Sequence, residues 1–507
     1  MKRIIYTVLA AIIITSCYDD KGSYDYHDIN EVTIDGLAAK YQVMTGVSTL
    51  KIEPKITTTL GDESNLEYEW RAVVGYTSSE LIGTERNLEF PVTLAPTSYT
   101  LYLRIVDKTT GVTAVKTAAL EVGTPYTKGL MMIGQDGLGK TKVQMLSIST
   151  DTILIKDVLG NTDVPNLSEG VDIIHTGKGS YSKLWLITKD EVYALDMTTM
   201  KLDPTKTFQK ALFLANEYNL NFVPVDFAPR IKDQAGNPSS AYYSATICSN
   251  GYVFNSSTLL MGGAYFTDPV NRLEKEPNVW FKANPCMMYS LTNWGGFVYY
   301  DETNERFLKV ASFTDYSTLL TDSGTDPFPW NQQSVGRTFV YGENTLNTDG
   351  GSTYGNSFAI MKNKSDQTHY IYKFYSTSTA IKRDFLTISA IATDFNKASF
   401  YAFSSRRTII YYAVGSKLYA YDYNKGYEKI YLLEDYGDAQ ITMLKCDTQI
   451  EPSTNPIYVA TYSSANGGTL QKYKQGTNPD VVTITADPAS HWTDLIKIKK
   501  ISWRATN

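Results

Sequence analysis

The most regular feature of the chain is a two-residue alternation of apolar and polar positions between residues 31 and 124. Runs such as EVTIDGL, NLEYEWRAVV and NLEFPVTL show it, and this period is typical of strands that bury one face. Turn-forming residues divide the segment into roughly seven short strands. We therefore predict that residues 31–124 form a β-sandwich.

From residue 125 to residue 507 the pattern changes to pairs of strands joined by a polar turn. Examples are KLWLITKD before VYALD and TIIYYAVGSK before LYAYD. Seven such units recur at spacings of 45 to 73 residues, close to the length of a four-stranded blade with insertions. The chain is thus predicted to be all-β, with a seven-bladed β-propeller at residues 125–507. Two consecutive β-sandwiches are the alternative for this region.

The final apolar run, WTDLIKIKKISWRATN, has no partner strand of its own. A blade needs a neighbour on each side, so a circular array of blades has to close. We predict that the final run completes a sheet with the strand GLMMIGQ near residue 129.

The N-terminal segment has the pattern of a targeting signal. Two basic residues precede an apolar run that ends in small residues and Cys17, the layout of a secretory signal peptide. The run is too short to span a bilayer. An ordinary signal peptide with an incidental cysteine is one interpretation of this segment.

The sequence Ile-Thr-Ser-Cys also resembles a bacterial lipobox. The resemblance implies a lipoprotein signal peptide at residues 1–16, lipidation of Cys17 and a flexible tether at residues 17–30. The stretch YDDKGSYDYHD that follows resembles the surface-export signal of Bacteroidota lipoproteins. It implies a protein that is lipid-anchored to the outer membrane and exposed at the cell surface.

Composition narrows the range of partners. The chain has 47 Lys and Arg against 53 Asp and Glu, a net charge of −6, so we expect no nucleic-acid partner. Cys248, Cys286 and Cys446 show no paired spacing, which makes a disulfide framework improbable and favours buried thiols. The four histidines are too scattered for a zinc site. We expect no metal and no cofactor.

No familiar catalytic or nucleotide-binding motif occurs, and we assign no catalytic residue. Acidic residues such as Asp301 and Asp422 fall in the predicted blade turns, where we expect them to act as turn residues. Trp280, Trp294 and Trp330 lie in loop sequences, and indole rings stack well on sugars and other ligands. These three are our candidate ligand-binding residues, and packing in a blade core is the alternative role for each.

Two motifs in the first domain resemble polycystic-kidney-disease (PKD) domains. They are YEW at residues 68–70 and SYTLYLRIVDKTTG at residues 98–111. The resemblance implies an immunoglobulin-like sandwich with Trp70 in its core and a hairpin turn from Asp107 to Gly111.

Taken together, the lipobox, the tether, the PKD-like sandwich and the Tyr-rich repeats resemble the PKD-like family lipoproteins of Bacteroidota. The resemblance implies an accessory of SusC/SusD-type uptake systems. Such a protein binds an extracellular nutrient, a glycan or a peptide, or docks onto a SusC/SusD-type outer-membrane transporter, without catalysis. A surface glycan or peptide hydrolase or lyase of propeller type, and a structural adhesion or scaffold module, are the alternatives.

Overall fold

The computed structural model describes residues 29–75, 78–148, 152–160, 166–211, 222–257, 265, 268–312 and 314–506. These residues confirm the predicted all-β class. The chain divides into two compact units, Met1–Thr124 and Pro125–Asn507. The predicted signal peptide, Cys17 and almost all of the predicted tether lie outside the described residues.

Helix is scarce within the described ranges. It consists of one α-helical turn, α1 (Phe208–Ala211), and three short 3-10 turns, Gly179–Tyr181, Gln333–Val335 and Phe395–Lys397. In this part of the chain, no helix is long and apolar enough to cross a lipid bilayer.

The described residues of the N-terminal unit form nine strands in three sheets. They are β1 (Val32–Asp35), β2 (Lys40–Met44), β3 (Thr49–Ile52), β4 (Lys55–Thr58), β5 (Leu66–Val74), β6 (Ser78–Gly83), β7 (Leu88–Pro91), β8 (Thr97–Asp107) and β9 (Thr113–Gly123). The largest sheet has the order β2-β9-β8-β5-β6, and β1-β4 and β3-β7 form two-stranded sheets. Only the β2–β9 pair in the large sheet is parallel.

Alternation along β8 produces the core of the N-terminal unit. Leu101, Leu103 and Ile105 are fully buried, because every second residue of a strand faces the same side. Trp70 on β5 packs in the same apolar cluster, and its indole N–H donates to the backbone oxygen of Glu85 at 2.9 Å. The predicted core role of Trp70 is confirmed.

The predicted hairpin turn between β8 and β9 is also confirmed. The Oδ1 atom of Asp107 accepts the backbone N–H groups of Thr109 and Thr110, at 2.8 and 3.2 Å. Gly111 takes a φ of +72°, a conformation that costs glycine little. Asn30 donates to the other carboxylate oxygen of Asp107 at 3.0 Å, and this hydrogen bond lowers the pKa of Asp107.

The described residues of the C-terminal unit form seven separate antiparallel sheets, six of them built from consecutive strands. The strands are β10 (Lys128–Gln135), β11 (Thr141–Ile148) and β12 (Thr152–Ile155) in sheet 1; β13 (Gly170–Thr176), β14 (Lys183–Thr188), β15 (Val192–Leu195) and β16 (Leu202–Thr207) in sheet 2; β17 (Pro224–Ala228), β18 (Tyr243–Cys248) and β19 (Val253–Ser257) in sheet 3; β20 (Phe297–Asp301), β21 (Arg306–Val310) and β22 (Thr318–Leu319) in sheet 4; β23 (Arg337–Asn344), β24 (Ser357–Asn363), β25 (His369–Ser376) and β26 (Ala380–Thr387) in sheet 5; β27 (Phe400–Phe403), β28 (Ile409–Val414), β29 (Lys417–Asp422) and β30 (Lys429–Asp435) in sheet 6; and β31 (Gln440–Cys446), β32 (Ile457–Ser463), β33 (Gly467–Gln475) and β34 (Ile484–Leu495) in sheet 7.

The last strand, β35 (Lys497–Ala505), does not join sheet 7. It pairs antiparallel with β10 in sheet 1, from Lys128 opposite Ala505 to Gln135 opposite Lys497. A β-bulge interrupts the pairing at Gly134, where an added Cβ would lie 2.0 Å from the backbone oxygen of Lys497. The predicted pairing of the final run with the strand near residue 129 is therefore confirmed.

Turns that begin with aspartate recur between strands of the C-terminal unit. The Oδ1 atoms of Asp196, Asp301 and Asp422 each accept the backbone N–H two residues later, at 2.9–3.0 Å. These contacts confirm that Asp301 and Asp422 serve as turn residues. Asp301 is also fully buried and pairs with Arg306 at 3.0 Å, so its turn is packed rather than solvated.

One edge strand of each sheet packs against a counterpart in a neighbouring sheet. The contacts join β35 with β13, β13 with β17, β23 with β27, β27 with β31, and β31 with β35. In sheet 4 the segment 283–289 takes the edge position, through bridges such as Met288 with Val298. It is linked to β23 by a hydrogen bond from Asn344 to the backbone oxygen of Met287 at 2.8 Å. We call these seven segments the inner-edge strands.

Candidate functional site

A cavity of about 240 Å³ lies where the inner-edge strands converge. Each of the seven contributes at least one side chain to its wall. One from each strand, in chain order, is Asp172, Asp226, Cys286, Glu343, Phe400, Lys445 and Lys500. The wall thus combines carboxylates and amines with apolar surface, a composition typical of ligand sites.

Local sequence explains how charged groups come to be at this depth. Asp172, Asp226 and Lys445 interrupt otherwise apolar strands, in GVDII, PVDFA and MLKC. Their neighbours along the strand pack into the sheets, and the charged side chains are left to face the cavity. Buried charges are costly unless they are paired or hydrogen-bonded. The partners of each group are therefore informative.

Arg230 bridges two carboxylates in the cavity wall. Its Nη2 atom lies 2.8 Å from Oδ2 of Asp172 and 2.9 Å from Oδ1 of Asp226. Burial opposes the charge on Arg230, but the two carboxylates outweigh it and raise the pKa of the guanidinium. Burial also raises the pKa of Asp226, although Arg230 acts in the opposite direction. In this part of the wall one guanidinium serves two carboxylates.

Glu343 has only part of its carboxylate satisfied. Its Oε2 atom accepts the backbone N–H of Phe403 at 2.7 Å and the hydroxyl of Tyr341 at 3.2 Å. Burial raises the pKa of Glu343 to about 7, against the lowering effect of those bonds and of Lys445 and Lys500. At neutral pH both the protonated and the ionised form of Glu343 are therefore populated.

Lys445 and Lys500 lie on adjacent inner-edge strands, β31 and β35. Across the described ranges neither lysine has a carboxylate within ion-pair distance, and the one hydrogen bond of the pair runs from Lys445 to the backbone oxygen of Ile501 at 3.4 Å. Burial lowers the pKa of Lys445 to about 8, and the charge of Arg230 adds to this effect. Lys232 also lines the cavity, so among the described residues the wall holds three amines without an ion pair.

The cysteines of the C-terminal unit are free thiols. Cys248 and Cys446 are buried, as predicted, and Cys286 is half-buried at the cavity wall. Burial raises the pKa of Cys286 to about 12 and that of Cys446 well above its usual range. Both therefore remain protonated at neutral pH and are poor nucleophiles.

The three tryptophans chosen from the sequence do not meet. Trp294 and Trp330 are packed in two different apolar clusters, with exposed fractions of 9% and 3%. Trp280 is half-buried, with its ring centre 6.4 Å from that of Tyr252. None of the three lines the central cavity. Ligand stacking on their rings stays a prediction and forms no part of this site.

Sequence reasoning missed the charged residues of the cavity. The available signal was an isolated charged residue inside an apolar strand of several repeats, as in PVDFA and MLKC. Among the residues that the structure describes, no group of three or more His, Cys, Asp or Glu side chains is placed to hold a metal ion.

Comparison with known families yields one match. The sequence profile of the PKD-like family matches residues 17–173, which confirms the predicted PKD-like character of the N-terminal region. No curated protein matches the chain.

Solved structures give remote similarities. A quinoprotein alcohol dehydrogenase-like protein from Bacteroides thetaiotaomicron is 12% identical with a TM-score of 0.41, over 94% of this chain and 99% of that one. The extracellular domain of a one-component system from B. thetaiotaomicron is 11% identical with a TM-score of 0.37, over 92% of this chain and 56% of that one. At these scores the similarities assign no function.

Proposed function

We propose that this chain is a cell-surface lipoprotein that binds an extracellular nutrient without catalysis, in the cavity of its C-terminal unit. The observation that carries the proposal is the convergence of seven inner-edge strands on one cavity whose wall holds the unmatched amines of Lys445 and Lys500. Lys445 is half-buried and Lys500 is exposed, so both amines are available to a ligand that enters the cavity.

The proposed architecture of this unit is a closed seven-bladed β-propeller. Seven antiparallel sheets among the described residues, contacts between successive inner-edge strands and a last strand that pairs with the first sheet all support it. When the first and last strands of a unit pair in one sheet, they close a circular array of sheets. The cavity would then be the axial channel of the propeller.

The proposed location is the outer face of the outer membrane, through a lipid on Cys17. The match to the PKD-like family begins at residue 17, which is the first residue of the mature chain if the lipobox is cleaved. In this arrangement the sandwich is a spacer, and the C-terminal unit reaches the medium or a SusC/SusD-type transporter.

A pull-down of the lipidated protein from detergent-solubilised outer membranes, followed by mass spectrometry, tests the location and the partner. We expect a SusC/SusD-type pair to be recovered with the wild-type protein. A Cys17→Ala variant is the matched control, since it should be absent from the membrane fraction. If the wild type and the Cys17→Ala variant fractionate alike, the protein is not lipid-anchored at Cys17. If the wild type is recovered alone, the proposed transporter partner is wrong.

One observation favours catalysis as a second candidate function. Glu343, with a pKa of about 7, faces the same cavity as Lys445, with a pKa of about 8, and a general acid or base works best near the ambient pH. A Glu343→Gln variant separates the two functions. If turnover of a bound glycan or peptide disappears while binding persists, the protein is an enzyme.

A further inference from the structure

We infer that the ligand of the central cavity carries a carboxylate group, which Lys445 and Lys500 bind. The inference rests on the proposed function, because it takes the cavity to be a ligand site. It goes further in naming the chemistry that the ligand brings.

The balance of charge in the wall supports an anionic ligand. The carboxylates of Asp172 and Asp226 are both engaged with Arg230, at 2.8 and 2.9 Å. In the described part of the chain no carboxylate lies within 4.0 Å of Lys445 or Lys500, the limit for an ion pair. The whole lining contains three carboxylates against five cationic side chains, of which Lys499 is paired with Glu169 outside the lining. The net charge of the wall is therefore positive.

The position of the two lysines adds a geometric argument. β31 and β35 pack against each other, so the two amines approach the cavity from neighbouring strands. Two amines placed side by side can each donate to one oxygen of a carboxylate, and hydrogen bonds between ionised groups are the strong ones. The same pair repels a cationic group.

The wall beside the two lysines fits the rest of a small polar ligand. Glu343 and Tyr341 offer hydrogen-bonding groups, and Phe400 offers an apolar ring face that is half-buried. A volume of about 240 Å³ is below the roughly 300–1,000 Å³ of sites for drug-sized ligands. The ligand is therefore of the size of one acidic sugar or a dipeptide.

Two sources supply a carboxylate of this size, an acidic sugar and the C-terminus of a short peptide. Titration calorimetry of the full lipidated chain in detergent distinguishes them with two matched pairs of probes. The first pair is glucuronate and glucose; the second is alanyl-alanine and its C-terminal amide. We expect at least one carboxylate to bind tenfold or more tightly than its neutral counterpart.

Variants connect that preference to the two lysines. In a Lys445→Met/Lys500→Met variant the preference should fall below twofold, and a Lys445→Arg/Lys500→Arg variant should retain part of it. The matched control is Lys140→Met, which removes an exposed lysine in the β10–β11 turn and should leave the preference intact. Thermal unfolding of each variant verifies that it is folded.

The pH dependence provides a second measure. Glu343 faces Tyr341, Lys445 and Lys500, and Lys445 faces Arg230, Asp172, Asp447 and Lys500. Raising the pH from 6 to 9 deprotonates Glu343 and then Lys445, and both changes disfavour a bound anion. The affinity for a carboxylate probe should therefore fall tenfold or more over this range. The affinity for a neutral probe should stay the same.

A Thr448→Trp variant, which fills the cavity wall, separates failure of the inference from failure of the site. If a neutral probe binds as tightly as its carboxylate and Thr448→Trp abolishes both, the cavity is a ligand site and the inference is wrong. The inference is also wrong if the double methionine variant keeps the preference. If no probe of either kind binds, both the inference and the cavity site are overturned, while the membrane pull-down still tests the location independently.

Discussion

The two units of the chain treat charge in opposite ways. In the sandwich, the ion pairs lie at the surface, as in Lys51 with Glu89, whose side chains are 66% and 67% exposed. The C-terminal unit places Asp172, 4% exposed, against Arg230 inside its cavity. A unit whose interior is apolar needs no partner to be complete. The C-terminal unit holds amines without an ion pair among the described residues, and in the proposed function they bind the ligand while the sandwich acts as a spacer.

The largest expected loss of stability tests whether the sandwich folds and functions independently of ligand binding. Trp70→Ala removes the largest side chain of its apolar core and should cost about 3–5 kcal/mol in the free energy of unfolding of that unit. Chemical denaturation followed by circular dichroism measures the change. Ligand binding by the C-terminal unit should be unaltered. Loss of binding in this variant would contradict the proposal that the sandwich takes no part in binding.

A smaller loss is expected from the buried ion pairs of the cavity. Arg230→Met leaves Asp172 and Asp226 without their cation, and an uncompensated buried charge typically costs about 3 kcal/mol. Denaturation of the C-terminal unit measures it. A matched triple variant that also carries Asp172→Asn and Asp226→Asn should recover part of the stability; no recovery would show that Arg230 acts through packing.

Ionisation of Glu343 should make the free energy of unfolding depend on pH. Its pKa rises from 4.5 in a free side chain to about 7 in the folded chain, so the folded state binds more protons than the unfolded state between these values. The stability from this group is complete below pH 4.5 and is lost as the pH rises through 7. We expect a decrease of about 1–3 kcal/mol over this interval.

Glu343→Gln is the matched variant for that measurement, because it cannot ionise. Denaturation midpoints of the two proteins, recorded between pH 4.5 and 7.5, should converge at the acidic end and diverge at the neutral end. Parallel curves would mean that another group causes the pH dependence.

The smallest effect should come from a surface ion pair of the sandwich. Lys51→Met removes the partner of Glu89, whose carboxylate lies 2.6 Å from the amine, and both side chains are largely exposed to solvent. Such pairs contribute about 0–1 kcal/mol. A loss above about 1 kcal/mol in a denaturation experiment would break the contrast between the two units.

The elements predicted from sequence are those that local patterns determine. Alternation along β8 determines which of its residues face the core. The apolar final run, β35, required a partner strand, and that strand is β10. The cavity could not be predicted in this way. Glu343 and Lys445 lie about a hundred residues apart in the sequence, and only the packing of inner-edge strands brings them to the same wall.

The choice of tryptophans shows a second limit of sequence reasoning. Trp330 lies in a proline-bounded segment that suggests an exposed loop, yet its ring packs against Phe328 and Phe374, with centres 5.2 and 5.3 Å away. Phe328 and Trp330 both belong to this segment, and they pack against sheet 5. The composition of a loop does not show which of its aromatic side chains will be buried.

The pairing of β10 with β35 also sets the order of events in folding. Lys128 finds Ala505 across almost the full length of the C-terminal unit, and contacts of such high sequence separation form slowly. Sheet 1 cannot be completed until β35 has been synthesised. One edge of β10 therefore lacks its partner strand while β11 to β34 are being made, and that edge is open to pairing with other strands.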